Sequence, residues 1–319
     1  METDRRKNPS PTTSPEPAKA DIYQRVTCLI VDALEKGTPP WRKPWSAEHA
    51  AGRIERPLRH NGEPYRGINV LVLWLTAEAK GYASPLWLTF QQAKAEGGSV
   101  RKGEKGTPVV FAGKFEKDVE TDAGKEKQEF FCYRQYTVFN SEQCDGLPER
   151  FTAMKATTVK KEPVTVQAEA EAFFKNTGAD IRHGGTKAFY APAGNYVQMP
   201  HVQTFESGLA YCGTLGHELI HWTKHATRLE RETDRKAWGG AKEAYAMEEL
   251  VAELGSAFLC ADLGLPPHIE DNAAYVASWL KVLKDDKRAI FTAAAMSEKA
   301  VSYLHAKQPG HKEVTSDGQ

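Results

Sequence analysis

The residues best placed to do chemistry are His217, Glu218 and His221, which form the run His-Glu-Leu-Ile-His. On a helix, two histidines four residues apart stand one turn apart on the same face. Both imidazoles can then reach one ion at about 2.0–2.1 Å. Glu218 adjoins the first of them and projects toward the side where water would sit. A carboxylate there can take the proton of a water polarised by the ion, which is the general-base role of a metal hydrolase. The bland alternative is a pair of satisfied core histidines beside a buried or paired glutamate. The surrounding run, Gly208 to Trp222, is apolar, as expected of a helix packed in a core.

A catalytic metal site needs a third protein ligand and one open position. The metzincin pattern would put a glycine at 224 and a histidine at 227. The chain has Lys224 and Thr227, which argues against that class. His225 continues the helical face, but a third ligand in line along one helix closes a tetrahedron poorly. The better source is the stretch Ala246–Glu253, which holds Glu248, Glu249 and Glu253 just before the apolar run LGSAFLCADLG. Carboxylates in a helix that should be buried require partners. Glu249 and Glu253 share a face, so one can bind metal while the other accepts the free ring N–H of a ligand histidine. The residues alone favour Glu249 as ligand and Glu253 as that partner, with Glu248 still open. Tyr245, Tyr196 and His225 are the candidates for stabilising an oxyanion. The segment from Asn195 to Pro200 is a candidate edge strand for an extended peptide, or simply a core strand.

The elements that must position these groups read as an α+β fold of two domains. Residues 1–19 are polar and Pro-rich and read as a disordered leader. Residues 20–150 form the first domain. Its apolar positions from Ile22 to Leu34 recur at helical spacing, with Gly37 as the stop. A second helix is expected over 68–80, a short one near 91–96, and strands over 108–115 and 130–140 joined by a solvated loop at 117–128. Residues 151–165 read as a linker, 166–307 as the second domain and 308–319 as a mobile tail. The second domain should have strands near 181–183, 187–190 and 196–199, then helices over roughly 204–226, 241–263, 271–284 and 286–305.

With 319 residues, 40% hydrophobic and 26% charged, the composition is that of a soluble globular protein. Net charge is zero, but residues 1–160 carry 25 Lys and Arg against 21 Asp and Glu, so the first part is mildly basic. The five cysteines (Cys28, Cys132, Cys144, Cys212 and Cys260) are odd in number and contain no C-x-x-C pair. They suggest a reducing cytoplasm and neither a disulfide framework nor a thiolate metal site. No apolar run is long enough to span a bilayer, so no membrane partner is expected.

Cations and aromatic rings alternate in the basic half. Trp41, Arg42, Lys43 and Trp45 share a Pro-stiffened loop, Tyr65 and Arg66 follow a turn, and Arg101, Lys102 and Lys105 lie in a Gly/Lys loop with Trp87 nearby. Rings that stack bases and cations that track phosphates are what single-stranded DNA binding requires. The bland readings are hydrophobic anchors for the rings and a solvated hairpin tip for the lysines.

TLGHELIHWTKHATRL followed by YAMEELVAELGSAFLCADLGL resembles the C-terminal metallopeptidase-like domain of ArdC-type antirestriction proteins. GTPPWRKPW, PYRGINVLVL, WLTFQQAKAEGGSVRKGEKGTPVVF and YTVFN resemble that family's N-terminal domain, which also occurs in plasmid TraC-type primases. The resemblance covers about residues 20–305. It implies a single-stranded DNA-binding domain followed by a zincin-like one, which protect incoming DNA of a mobile element from restriction. It also implies Zn2+, or another divalent ion such as Mn2+ or Co2+, held by His217, His221 and Glu249, with Glu218 as the catalytic glutamate. A host protein or peptide is the implied substrate class. The alternative is a non-enzymatic protein that shields single-stranded DNA and whose metal site is structural or vestigial.

Overall fold

The computed structural model describes residues 21–41, 55–121, 124–153, 161–231, 240–267 and 273–310. Helix α1 (Ile22–Glu35) starts where the Asp21 side chain accepts from the Tyr23 N–H and stops before Gly37, whose φ is 69°. Then come β1 (Leu58–Arg59), α2 (Ile68–Lys80), β2 (Leu86–Thr89), α3 (Phe90–Ala95), β3 (Ser99–Val100), β4 (Thr107–Thr121), β5 (Gly124–Asn140), β6 (Cys144–Asp145) and α4 (Glu149–Ala153). The first sheet has the order β1-β2-β5-β4, so β4 is an edge. Asn69 blunts part of that edge by exchanging two hydrogen bonds with the Val110 backbone, at 2.7 and 2.8 Å.

The segment expected to be a solvated loop at 117–128 is instead ladder. β4 and β5 pair without a break from Thr107↔Val138 to Thr121↔Gly124. A two-stranded ribbon satisfies its backbone whatever its side chains, so polarity alone does not mark a loop.

The second half contains α5 (Pro163–Asn176), β7 (Ile181–His183), β8 (Phe189–Ala191), β9 (Tyr196–Met199), α6 (Gly208–Trp222), α7 (Ala241–Leu263), α8 (Ala273–Asp285) and α9 (Ala289–Ala306). The small sheet has the order β7-β9-β8. β9 is therefore central, parallel to β7 and antiparallel to β8. Both its edges are paired, so the Asn195–Pro200 segment cannot accept an added peptide strand, and the core-strand alternative holds.

The two halves share one hydrophobic core. Val26, Ile30, Trp41 and Trp74 from the first belong to the same buried cluster as Leu219, Phe258, Trp279 and Ile290 from the second. Polar contacts also cross the seam. The Thr27 hydroxyl donates to the Lys287 carbonyl at 2.8 Å. Arg56 is buried over the Phe258 ring and reaches Asp262 and Glu298, each at 2.9 Å. An isolated buried guanidinium would be prohibitive, and these two carboxylates make its position tenable.

No described helix is long and apolar enough to cross a membrane. The expected leader, most of the tail and residues 154–160 of the expected linker lie outside the described residues.

Candidate metal centre

α6 begins with a Ser207 cap, whose hydroxyl accepts from the Ala210 N–H at 3.1 Å, and carries His217, Glu218 and His221 into the interior. α6 was expected to continue to residue 226, but it ends at Trp222. Thr223 caps it, with its hydroxyl donating to the Ile220 carbonyl at 2.6 Å. Arg231 returns to donate to the same carbonyl at 3.0 Å, which occupies an acceptor that a helix end leaves open. His225 consequently leaves the helical face and bonds to Thr227 at 2.8 Å.

α7 crosses α6 at close range because Gly255 permits it. Gly216 faces Leu259 and Phe174, and Gly255 lies directly against Ile220. This crossing brings the Glu249 carboxylate to 3.8 Å from His217 Nε2 and 3.5 Å from His221 Nε2. One ligand atom from each of His217, His221 and Glu249 lies within 4.8 Å of the others, and all three residues are buried. Two ligands bound at about 2.0–2.2 Å around a tetrahedral ion stand roughly 3.3–3.6 Å apart, close to the two separations from Glu249.

A partner group selects which nitrogen of His221 faces the cluster. His221 Nδ1–H donates to Glu248 Oε1 at 3.0 Å, which leaves Nε2 facing Glu249. Glu248 is in turn held by Arg231 through bonds of 2.8 and 3.1 Å, and Arg231 also donates to the Thr223 hydroxyl at 2.9 Å. The carboxylate orienting His221 is thus Glu248, a residue whose role the sequence left open. Glu253 is buried one turn beyond Glu249 on α7. Adjacent positions differ by about 100° around a helix, so Glu248 and Glu249 address opposite nitrogens of the same ring.

The electrostatics suit a cation. Burial works against charge on Glu248, yet His221 and Arg231 bring its pKa down to about 2. Burial also opposes charge on Glu249, but His217 and His221 hold it well below the usual carboxylate range. His221 shows the reciprocal effect. Burial disfavours its charge, but the two carboxylates raise its pKa to about 10. Two carboxylates that stay ionised in a buried pocket, with two imidazole nitrogens aimed at the same point, make a donor set that fits a divalent ion of borderline softness. Tyr245 is exposed at the rim, where its hydroxyl lies 3.3 Å from that of Tyr275. Its pKa is raised, first by that hydrogen bond, then by burial and the charge of Glu249.

The residues expected to meet DNA fare differently. Trp41 and Trp87 are 1% and 0% exposed, and Tyr65 is also buried. Trp41 packs edge-on to Trp279 and Trp87 edge-on to Tyr82, so neither offers a face to a base. These rings anchor the fold, because large aromatics gain most by full burial. Arg101 is engaged by Glu104 at 2.8 Å and by the Glu142 carbonyl at 2.6 Å, which fixes the turn before β4. Lys102, Lys105 and Arg66 are exposed. Arg42, Lys43 and Trp45 lie outside the described residues.

Residues 168–296 match the zincin-like metallopeptidase family, and residues 20–139 match the N-terminal domain of anti-restriction factor ArdC. A crystal structure of the antirestriction ArdC protein from the R388 plasmid, in a metal-free form, is 47% identical, with a TM-score of 0.76 over 90% of this chain and 97% of that one. The chain belongs to the ArdC antirestriction family. The Mn(II)-bound structure of the same relative matches at 45% identity and a TM-score of 0.75, over 92% of this chain and all of that one. The y4eC protein of Sinorhizobium fredii is 40% identical over 90% of this chain and 92% of its own length. Two Escherichia coli TraC DNA primases are 36% and 38% identical over 90% of this chain, which spans only 27% and 20% of their lengths. The family fold is an ArdC N-terminal domain followed by a zincin-like domain, with mixed helices and sheets.

Proposed function

We propose that this ArdC-family chain is an antirestriction protein that binds single-stranded DNA and holds a divalent metal ion at His217, His221 and Glu249, with a peptidase-type site around Glu218. The observation that carries the metal reading is the convergence of two Nε2 atoms and one carboxylate from two helices within 4.8 Å. The Mn(II) in the R388 relative supports it, and a donor set of two imidazoles and a carboxylate also suits zinc. A structural zinc site usually fills all four positions with protein groups, whereas a three-ligand set leaves a place for water or substrate.

A divalent ion bound there supplies Lewis acidity, polarising a substrate carbonyl and acidifying nearby water. The chain's own groups do the rest. Glu218, next to His217 on α6, accepts the proton of the attacking water and returns it to the leaving amine. Glu248 and Arg231 fix the ring of His221, and Tyr245, close enough to Glu249 to feel its charge, is the candidate donor to a developing oxyanion. The single-stranded DNA reading rests on the ArdC N-terminal match and the shared segment of the TraC primases.

Metal analysis of the purified chain should find about one divalent ion per chain, and His217→Ala should abolish it. Glu218→Gln should retain the ion and lose any peptide hydrolysis. Wild-type protein that cannot be loaded with zinc or manganese would refute the metal reading, and hydrolysis surviving in Glu218→Gln would remove Glu218 from the mechanism. Restriction protection by Glu218→Gln separates peptidase from shielding: undiminished protection assigns the effect to DNA binding alone.

A further inference from the structure

A cleft of about 670 Å3 runs between the N-terminal half and α9. One wall carries Arg59, Arg66 and Phe111, and the other Phe291, Lys299 and Tyr303. The volume lies within the range of about 300–1,000 Å3 typical of ligand sites. The carboxylate in its lining, Glu298, is already committed to Arg56 at 2.9 Å and to the Gly67 N–H at 3.1 Å. The three cations around it are loosely held. Arg66 is 62% exposed and 3.9 Å from Glu298, while Arg59 makes an exposed pair with Glu63 at 3.6 Å. Such pairs contribute little and are readily exchanged for a phosphate. Lys299 is exposed on α9.

The pattern continues past both ends of the cleft. Tyr136, exposed on β5, meets the edge of Phe111 at a centroid distance of 6.4 Å. At the other end Lys307 lies 4.8 Å from the centroid of the Tyr303 ring. Rings and cations therefore alternate from β5 across the cleft to the end of α9. A single strand matches this alternation, with unpaired bases against rings and phosphates against cations. A duplex does not, because its base faces are closed in the stack. An acidic peptide would use the cations but leave the apolar lining of Phe111, Phe291 and Ala295 without a flat partner.

We propose that this cleft is the seat of single-stranded DNA, with phosphates on Arg59, Arg66 and Lys299 and bases against Phe111 and Tyr303. The proposal rests on the reading that the chain binds single strands. It places half the binding surface on α9 of the zincin-like part, away from the buried Trp41 and Trp87.

The test is a fluorescence-anisotropy titration of the full chain with a labelled oligonucleotide of about 20 nucleotides, longer than the site of one single-strand-binding module. The double variant Arg66→Glu/Lys299→Glu should bind roughly tenfold or more weakly, and its salt slope should be shallower by about 0.7 per lost phosphate contact. Tyr303→Leu should bind several-fold more weakly with an unchanged salt slope. Lys161→Glu and Arg182→Glu, exposed changes outside the lining of the cleft, should bind as the wild type does. Wild-type binding that survives both the double variant and Tyr303→Leu, or that falls equally in the two controls, overturns the cleft and leaves single-strand binding standing. Failure of the wild type to bind the oligonucleotide overturns both.

Discussion

Gly255 of α7 lies so close to Ile220 of α6 that a Cβ built on it would stand 2.9 Å from the isoleucine Cγ2. The metal cluster depends on that proximity, because Glu249 is on one helix of the pair and both histidines on the other. Gly255→Ala should gain about 1 kcal/mol of helix propensity but lose more through overpacking, typically about 1–3 kcal/mol. Thermal melts should show net destabilisation, and zinc titration should show weaker binding as Glu249 is pushed from the imidazoles. A variant of wild-type stability and affinity would show that the crossing tolerates a methyl group.

Glu248 touches His221 on the ring nitrogen that faces away from Glu249, so it acts by holding the imidazole. Glu248→Ala should weaken metal binding about 10–100-fold, as expected for removal of a carboxylate behind a ligand histidine. Arg231→Ala should act in the same direction by freeing Glu248. Calorimetric titration of each variant with zinc provides the measurement.

Asp262 is held below its ordinary pKa because Arg56 and His305 outweigh the effect of burial. In the acid range the folded protein therefore binds fewer protons at this site than the unfolded chain does. The stabilisation is complete above the ordinary aspartate value of about 3.9 and is lost as pH falls through the lower folded value. Asp262→Asn should flatten the acid limb of a pH-stability curve. Asp262→Ala, which removes one of the carboxylates from a buried guanidinium, should cost on the order of 3 kcal/mol at neutral pH by chemical denaturation.

Trp41→Ala should destabilise by about 3–5 kcal/mol, since it empties a packed site against Trp279. The milder Trp41→Phe should melt at lower temperature yet bind a single-stranded oligonucleotide with wild-type affinity. Lost affinity in a folded Trp41→Phe protein would restore this ring to the DNA surface.

How much of this was legible in the sequence depended on how local the signal was. His217, Glu218 and His221 could be read at once, because an i, i+4 pair on a helix fixes its own geometry. Glu249 could be narrowed to one of three glutamates, but its division of labour with Glu248 could not, since the rotation of α7 against α6 is set by the Gly255–Ile220 contact. For Trp41 and Trp87 the alternative of hydrophobic anchors holds, and a related reason hid it. A Pro-rich segment with flanking cations looks exposed, whereas Trp41 reaches across to Trp279, 238 positions later in the chain. The long β4–β5 ribbon was hidden by its charge, and the central place of β9 by the fact that strand order is not written in any one strand.

The guanidinium of Arg56, clasped by Asp262 and Glu298 across the seam, bears on inheritance. A recombination event that cut the gene between residues 56 and 262 and brought in a sequence without the matching partners would strand a charge in the interior of the hybrid. The stretch shared with the TraC primases does run through both halves.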